Sequence, residues 1–295
     1  MEKIYAILIV LAVLILLYIL WCLAEPFFLD SDKAVLKKSA KENLSDNDIS
    51  VKKLPMVPDD VPGDPDFRFF MFSDVHAEWC PVTSKRICDE LRHAHSDSPV
   101  DAVIFGGDIV SHAKNADKGY KYISEVAKCC DELSIPFYGI TGNHDALITK
   151  APDVPIYINM DNKATDIISA RTGKKAILAG VSDSGTGKLE WPPMPEISGN
   201  EPVILLAHDP DYLLHVEKRP DYMLAGHLHG GQMKFPFKVE FRILRRKDKL
   251  PKKGAVQGIY DIGGTTVFIS RGLGCGVMPF RFLSLPEVTV LEIHI

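Results

Sequence analysis

Five short polar clusters in this chain carry side chains that bind metal cations: Asp74-Val75-His76, Gly106-Gly107-Asp108, Gly142-Asn143-His144-Asp145, an isolated His208, and Gly226-His227-Leu228-His229. Asp74, Asp108, Asn143, His76, His208, His227 and His229 offer carboxylate oxygens, an amide oxygen and imidazole nitrogens, with no thiolate among them. That mixture suits Mn, Fe, Co or Zn, whereas calcium sites are built almost wholly of oxygen. A carboxylate has two oxygens and can bridge two cations, and a pair held roughly 3.5–4 Å apart can activate water and polarise a phosphorus centre together. Anionic oxygens offset the positive charge, while neutral imidazoles keep the site electrophilic. Singly the clusters are weak signals, because Gly-Gly-Asp is a common turn and Gly-Asn-His-Asp can be a turn with a capping residue. In order, each behind an apolar run, they point to one site.

The runs that precede them have strand length: FRFFMF (67–72), VDAVIF (100–105), IPFYGIT (135–141), PVILLA (202–207) and DYMLA (221–225). Their continuous apolar character predicts strands buried on both faces. Helices are expected between the early strands, near 81–95 and 116–133, the second with Ile123, Val126, Ala127, Cys130 and Leu133 along one face. Strands alternating with helices make an α/β fold, in which reactive side chains gather outside strand ends. Gly263-Gly264 before TTVFIS reads as a turn into a further strand. Neither GxxxxGK[ST] nor GxGxxG occurs, which removes the main sequence reason to expect a nucleotide cofactor. His93, His95, His112, His215 and His294 lack comparable surroundings and read as surface or core residues.

The ordered series Asp74-x-His76, Gly107-Asp108, Gly142-Asn143-His144-Asp145, His208 and Gly226-His227-x-His229 resembles the calcineurin-like metallophosphoesterase superfamily, over about Phe67 to the C-terminus. The resemblance implies a β-sandwich of two mixed sheets flanked by helices. It implies one metal held by Asp74, His76, Asp108 and His229, and another by Asp108, Asn143, His208 and His227, with Asp108 as the bridge. It also implies in-line attack by a hydroxide shared between the ions, without a covalent enzyme intermediate, and a His144 that contacts the phosphate or protonates the leaving oxygen. Asp108, Asn143 and His144 are then the catalytic group. Ser111 stands where purple acid phosphatases carry their iron-binding tyrosine, which favours a redox-inert pair such as two Mn ions over ferric iron. Leu228 stands where threonine is frequent, between two histidines that point inward. His229-Gly230-Gly231-Gln232, Ser270-Arg271-Gly272-Leu273-Gly274 and the apolar N-terminus resemble a bacterial membrane-associated branch. Some of its members hydrolyse UDP-2,3-diacylglucosamine in lipid A biosynthesis. Arg271 is there a candidate phosphate contact or a buttress of its loop.

At 295 residues and 46% hydrophobic, the chain has enough apolar material for a sizeable core. A formal net charge of -5 offers no global basis for nucleic-acid binding. Ile4 to Ala24 carries no charge and spans roughly 30 Å as a helix, the thickness of a bilayer's hydrocarbon core. Tyr5 at one end, and Tyr18 with Trp21 at the other, suit the interfaces, so residues 1–24 read as an uncleaved transmembrane anchor. Cys22-Leu23-Ala24 would suit a cleaved signal peptide, but the apolar run is long for one and Lys3 is the only basic residue before it. Trp21 before Cys22 also argues against a lipoprotein cut.

Lys33, Lys37, Lys38 and Lys41 follow the anchor, and the six cysteines show no disulfide framework; both features favour a cytoplasmic body. Residues 25–66 read as a polar, proline-punctuated stalk with one short strand near 49–54, and 67–295 as the catalytic domain. From Met233 to Lys253, nine Lys or Arg interleave with Phe235, Phe237, Phe241, Ile243 and Leu244. Such a segment can dock on an anionic bilayer, grip a diphosphate, or form a solvated hairpin. The expected activity is hydrolysis of a phosphodiester or diphosphate by two divalent ions, acting on a phosphorylated, lipid-linked substrate at the membrane. The alternatives are a general phosphodiesterase or nuclease, or a tethered binding module with a vestigial metal site. The full donor set opposes the last.

Overall fold

The uncharged run from Ile4 lies within helix α1 (Glu2–Ala24), about 34 Å long at ~1.5 Å per residue, and the side chains from Ile4 to Trp21 are exposed. The stretch Ile4–Phe27 is long and apolar enough to cross a membrane. The computed structural model describes residues 2–41, 49–61, 63–148, 156–183, 193–197, 199–216, 218–235, 237, 239–241, 247–276 and 278–295.

Strands β1 (Asp30–Lys37), β2 (Val51–Leu54) and β3 (Phe67–Phe72) come first, then α2 (Ser84–Asp97), β4 (Ala102–Phe105), α3 (Ala116–Leu133) and β5 (Phe137–Gly139). There follow β6 (Ile158–Asn159), β7 (Lys163–Ile168), β8 (Lys175–Val181), β9 (Val203–Ala207), β10 (Tyr222–Ala225), β11 (Gly258–Ile262), β12 (Thr265–Ile269) and β13 (Glu287–His294). They build two mixed sheets, ordered β1-β13-β3-β4-β5-β6 and β2-β11-β12-β10-β9-β8-β7. β3, β4 and β5 run parallel, as do β8, β9, β10 and β12. Parallel strands end at a common edge, so one edge of each sheet collects the polar clusters.

Side-chain alternation decides what each strand touches. Phe67, Phe69 and Met71 of β3 and Ala102 and Ile104 of β4 meet Leu178, Leu206, Tyr222, Leu224 and Phe268 from the other sheet, forming the core between the layers. The opposite faces of β3 and β4, with Phe70, Phe72, Val103 and Phe105, pack on Ile87 and Leu91 of α2 and Ile123, Val126 and Cys130 of α3. α2 starts where Thr83 Oγ1 accepts the Arg86 amide at 3.2 Å, and α3 stops at Ser134, whose φ of 56° is left-handed. The outer face of the second sheet is covered differently. Tyr212 and Leu213 of a single helical turn (Pro210–Leu214), with Leu228, Phe241 and Leu250, close over Leu205, Met223 and Val267.

Within 25–66 the short strand expected near 49–54 is β2, and a second strand, β1, was not expected. β1 pairs in parallel with β13 through Asp30↔Glu287 to Lys37↔His294, and β2 pairs antiparallel with β11. Each edges one sheet. Ala34 and Leu36 enter the core between the sheets, while Lys33 and Lys37 face Glu292 at 2.7 Å and Asp60 at 3.0 Å. Alternating charged and apolar residues thus mark an edge strand, with the backbone ladder supplied by a partner at the far end of the chain. In the basic segment 233–253, residues 236, 238 and 242–246 lie outside the described residues. Among those described, Met233 forms an isolated bridge to Phe282, and no strand pairs into a hairpin.

Candidate metal centre

All the clusters lie just past strand ends at the shared edge: Asp74 and His76 after β3, Asp108 after β4, Asn143 and His144 after β5, His208 after β9, and His227 and His229 after β10. Loop amides join them across the gap. The Asp74 amide donates to Gly107 O at 2.8 Å, His76 N to Asp108 O at 3.2 Å, and Gly274 N to Asp74 O at 2.8 Å. The backbone bends sharply to aim the donors inward: φ is 51° at Asp74, 41° at His76, 63° at Asp108, 69° at His227 and 51° at His229. Positive φ is uncommon outside glycine and costs about 1–3 kcal/mol where it is imposed, so five donors in that region mark a site that the surrounding structure holds under strain. Gly107 has no alternative there. With φ of 95°, a Cβ would come within 2.7 Å of Gly142 N and 2.9 Å of His208 Nδ1.

The ligand atoms converge. His76 Nε2 lies 3.1 Å from His229 Nε2 and 3.5 Å from Asp108 Oδ2, and His229 Nε2 lies 3.5 Å from Asp74 Oδ1. His208 Nε2 is 3.2 Å from Asp108 Oδ2 and 3.9 Å from Asp74 Oδ1. Asn143 Oδ1 is 3.0 Å from His227 Nδ1. Three triads each place one donor atom per residue within 4.8 Å of the others: Asp74, His76 and His229; Asp74, Asp108 and His208; and Asp183, His208 and His227. The first holds three of the residues expected at the first metal, and the second sets Asp74 of that group beside the expected bridge Asp108 and His208 of the other group. The third joins two expected ligands of the second metal to a residue that was not anticipated. Asp183 follows β8 and is anchored by its amide on Thr141 O at 3.1 Å. The signal that found the other donors would have found it, because the apolar run AILAGV (176–181) ends at Ser182-Asp183.

Hydrogen bonds fix which ring nitrogens face the cluster. Ser111 Oγ donates to Gly276 O at 2.5 Å, so at 3.0 Å it can only accept from His76 Nδ1, leaving Nε2 of His76 as the lone-pair donor. Ser111, which occupies the position of the missing tyrosine, therefore orients a ligand. His208 Nδ1 donates to Gly106 O at 2.7 Å, and its Nε2 is buried and makes no hydrogen bond. A buried imidazole nitrogen directed at two carboxylates fits a cation. His144 Nδ1 donates to Ser111 O at 2.9 Å, leaving Nε2 for exchange with a substrate, while its amide donates to Asp108 Oδ1 at 2.9 Å.

Electrostatics agree with this assignment. Burial alone would raise the Asp108 carboxyl, but His208, His76 and His144 pull it well below the usual carboxylate range. Burial opposes a charged His208, yet Asp108 and Asp74 raise it well above the ordinary histidine value; this carboxylate floor demands a positive charge, which a cation supplies as well as a proton. Burial holds His76 below its ordinary value, against the opposing pull of Asp108 and Asp74. Asp145 stands behind the site, accepting from the amides of Asp108 (2.7 Å), Ile109 (2.7 Å) and Gly142 (3.0 Å). Burial and the charge of Asp108 push its carboxyl up to about 7 against those donors.

The Arg271 guanidinium bonds to Asp30 at 2.7 Å, Asp32 at 2.9 Å and Glu287 at 2.5 Å, contacts that fit the buttress among its two expected roles by tying β1, β13 and their loop together. Arg281, which sequence reasoning missed, lies beside the candidate ligand His229. It is wholly buried, 3.5 Å from His229 Nδ1, and donates to the carbonyls of Arg271 (3.0 Å), Gly272 (3.2 Å) and Ser284 (2.9 Å). Burial holds it below the ordinary arginine value. Its loop sequence, Met278-Pro279-Phe280-Arg281, carries no local signal for such a role.

Comparison with known proteins agrees with the geometry. The chain is 27% identical to the metallophosphoesterase YkoQ of Bacillus subtilis, over 86% of this chain and 93% of that one. It is 29% identical to the metallophosphoesterase YkuE of the same organism, over 77% of this chain and 79% of the relative. It is also 28% identical to the phosphodiesterase YaeI of Escherichia coli, over 77% and 82%. The calcineurin-like phosphoesterase profile matches residues 67–231, which span the donors from Asp74 to His229. The family uses divalent metals, and the donor set here fits them. With that match over more than half its length, the chain belongs to the calcineurin-like phosphoesterase family and is a metal-dependent phosphoester hydrolase.

Proposed function

We propose that this protein is a membrane-anchored hydrolase with two divalent cations, Mn by preference, that cleaves a phosphodiester or diphosphate bond in a lipid-linked substrate. The observation that carries the reading is the convergence of Asp74, His76, His208 and His229 on Asp108, with Asn143 and His227 beside them. Asp74, His76, Asp108 and His229 would hold one ion, and Asp108, Asn143, His208 and His227 the other. When bound, the ions supply Lewis-acid activation of water and neutralise charge on the phosphoryl oxygens. Asp108 is positioned to be shared because both its oxygens are engaged, Oδ1 by the His144 amide and Oδ2 near two imidazoles. With Nδ1 committed to Ser111 O, His144 has Nε2 to contact the phosphate or to pass a proton to the leaving oxygen. Ser111 in place of a tyrosine supports a redox-inert pair.

The anchor reading rests on α1, whose exposed apolar side chains suit lipid rather than water. Its last turns stay attached to the body. Cys22 is buried and its carbonyl accepts from Arg281 N at 3.1 Å, which supports a retained helix over a cleaved one. The lysines after the helix and the six free cysteines support a cytoplasmic body. The test is turnover by detergent-purified protein with Mn against bis-p-nitrophenyl phosphate, a nucleotide-diphospho-lipid and single-stranded DNA. Mass spectrometry of a lipid extract before and after incubation then identifies the species consumed. Hydrolysis of the two phosphoesters with DNA spared is the expected result, and preference for DNA would overturn the reading.

A further inference from the structure

The segment 278–284 lies alongside the last two turns of α1 rather than beyond its end. Tyr18 packs edge-on against Phe282 with ring centroids 4.8 Å apart, and Glu25 accepts from Leu283 N at 2.9 Å and Ser284 N at 2.5 Å. Tyr18 precedes the helix end at Ala24 by six residues, about 9 Å of helix axis at ~1.5 Å per residue. Whatever depth α1 has there, Phe282 shares. The neighbouring chain joins the same patch: Met233 bridges Phe282, and Lys234 N donates to Phe282 O at 3.1 Å. Around this seam Phe27, Phe28, Phe235, Phe237, Met278 and Leu283 are all exposed, Phe27 by 71% and Phe237 by 82%. Large apolar groups gathered beside a bilayer-length helix gain nothing from water, whereas burial in lipid is worth roughly 25 cal/mol per Å².

The seam also reaches the metal centre. Arg281 hydrogen-bonds the Cys22 carbonyl through its backbone, and its guanidinium lies 3.5 Å from His229 Nδ1. Ser284, bonded to Glu25 through its amide, donates its hydroxyl to His229 O at 2.7 Å. One metal-ligating histidine is therefore a single arginine side chain away from the membrane helix. The headgroup layer outside the hydrocarbon is only about 5–8 Å deep on each side, a comparable reach.

From these contacts we infer that the catalytic body is partly immersed in a phospholipid bilayer through this apolar collar, and that the metal centre takes phosphate esters from lipids at headgroup depth while their acyl chains stay in the membrane. The inference rests on the reading of α1 as a bilayer span and names the surface by which that anchored enzyme meets its substrate. The test uses full-length protein in phosphatidylglycerol–phosphatidylethanolamine vesicles containing a phospholipid with a diazirine in its acyl chain. After irradiation, peptide mass spectrometry should find adducts on α1 and also on 235–237 and 278–283. Adducts confined to α1 would overturn immersion, and their absence from α1 would overturn the anchor itself. A second arm combines Phe237→Ser, Met278→Ser and Leu283→Ser. Turnover of a bilayer-embedded fluorescent phosphodiester lipid should fall about tenfold or more, with bis-p-nitrophenyl phosphate hydrolysis in detergent unchanged. Unaltered lipid turnover, or equal loss on both substrates, would overturn the collar. Wild-type protein inert toward both substrates would overturn the phosphodiesterase reading and leave the cross-linking result standing.

Discussion

The metal centre has a floor and a rim built on different terms. Asp74, His76, Asp108 and His208 on the floor are at most 1% exposed, while Asn143, His144, His227 and Asp183 on the rim are half-buried. The floor pairs strained backbone and fixed tautomers with carboxylates that have no water to stabilise their charge. The rim keeps access. Desolvated, rigid donors suit a cation that must stay, whereas partly wet groups suit a phosphoester that must enter and leave. Of the rim residues, Asn143 and His227 would still hold the second ion, so contact with the substrate falls to His144, although floor and rim alike spring from ends of parallel strands.

Mutations on each side can break this contrast. Asp108→Asn should have the largest effect, lowering turnover of bis-p-nitrophenyl phosphate to background together with the metal content per chain measured by elemental analysis. If both survive, the floor does not hold the cations. His144→Ala, on the rim, should lower kcat by about 10²–10⁴-fold. Metal content should stay at the wild-type level, and a fall in parallel with turnover would erase the distinction. Ser111→Ala releases the Nδ1 of His76 and should weaken Mn binding, read by titration calorimetry, by about 10–100-fold. An unaltered affinity would mean that the ring is oriented by other contacts. Arg271→Ala sharpens the contrast from outside both groups. Stripping three carboxylates of their partner should cost about 3–5 kcal/mol in denaturant unfolding, with kcat/KM of the folded fraction unchanged. A selective rise in KM would restore its role as a phosphate contact.

Much of the centre was legible because its chemistry is local. Each donor stands within a few residues of the apolar run that aims it, so FRFFMF, PVILLA and DYMLA announced both a strand and a candidate donor. β3 and α3 fall at the expected residues. The charged edge strand β1 was not legible, although β2 was expected near 49–54. Asp30–Lys37 resembles a solvated linker until β13 supplies its ladder from the far end of the chain. The arginines show the same limit, since Arg271 sits in the more suggestive motif and pairs with Asp30, Asp32 and Glu287, while Arg281, in a loop with no local signal, reaches His229.

By itself the sequence determined the kinds of donor, their order, the parallel strands that present them and a helix of bilayer length, because composition and periodicity are properties of neighbouring residues. Tertiary structure alone decided that Asp183 joins His208 and His227, that Ser111 sets the tautomer of His76, and that the loop at Arg281 lies level with Tyr18 of the helix. Those relations join residues dozens to hundreds of positions apart, and only the closing of the two sheets on a common core sets such distances.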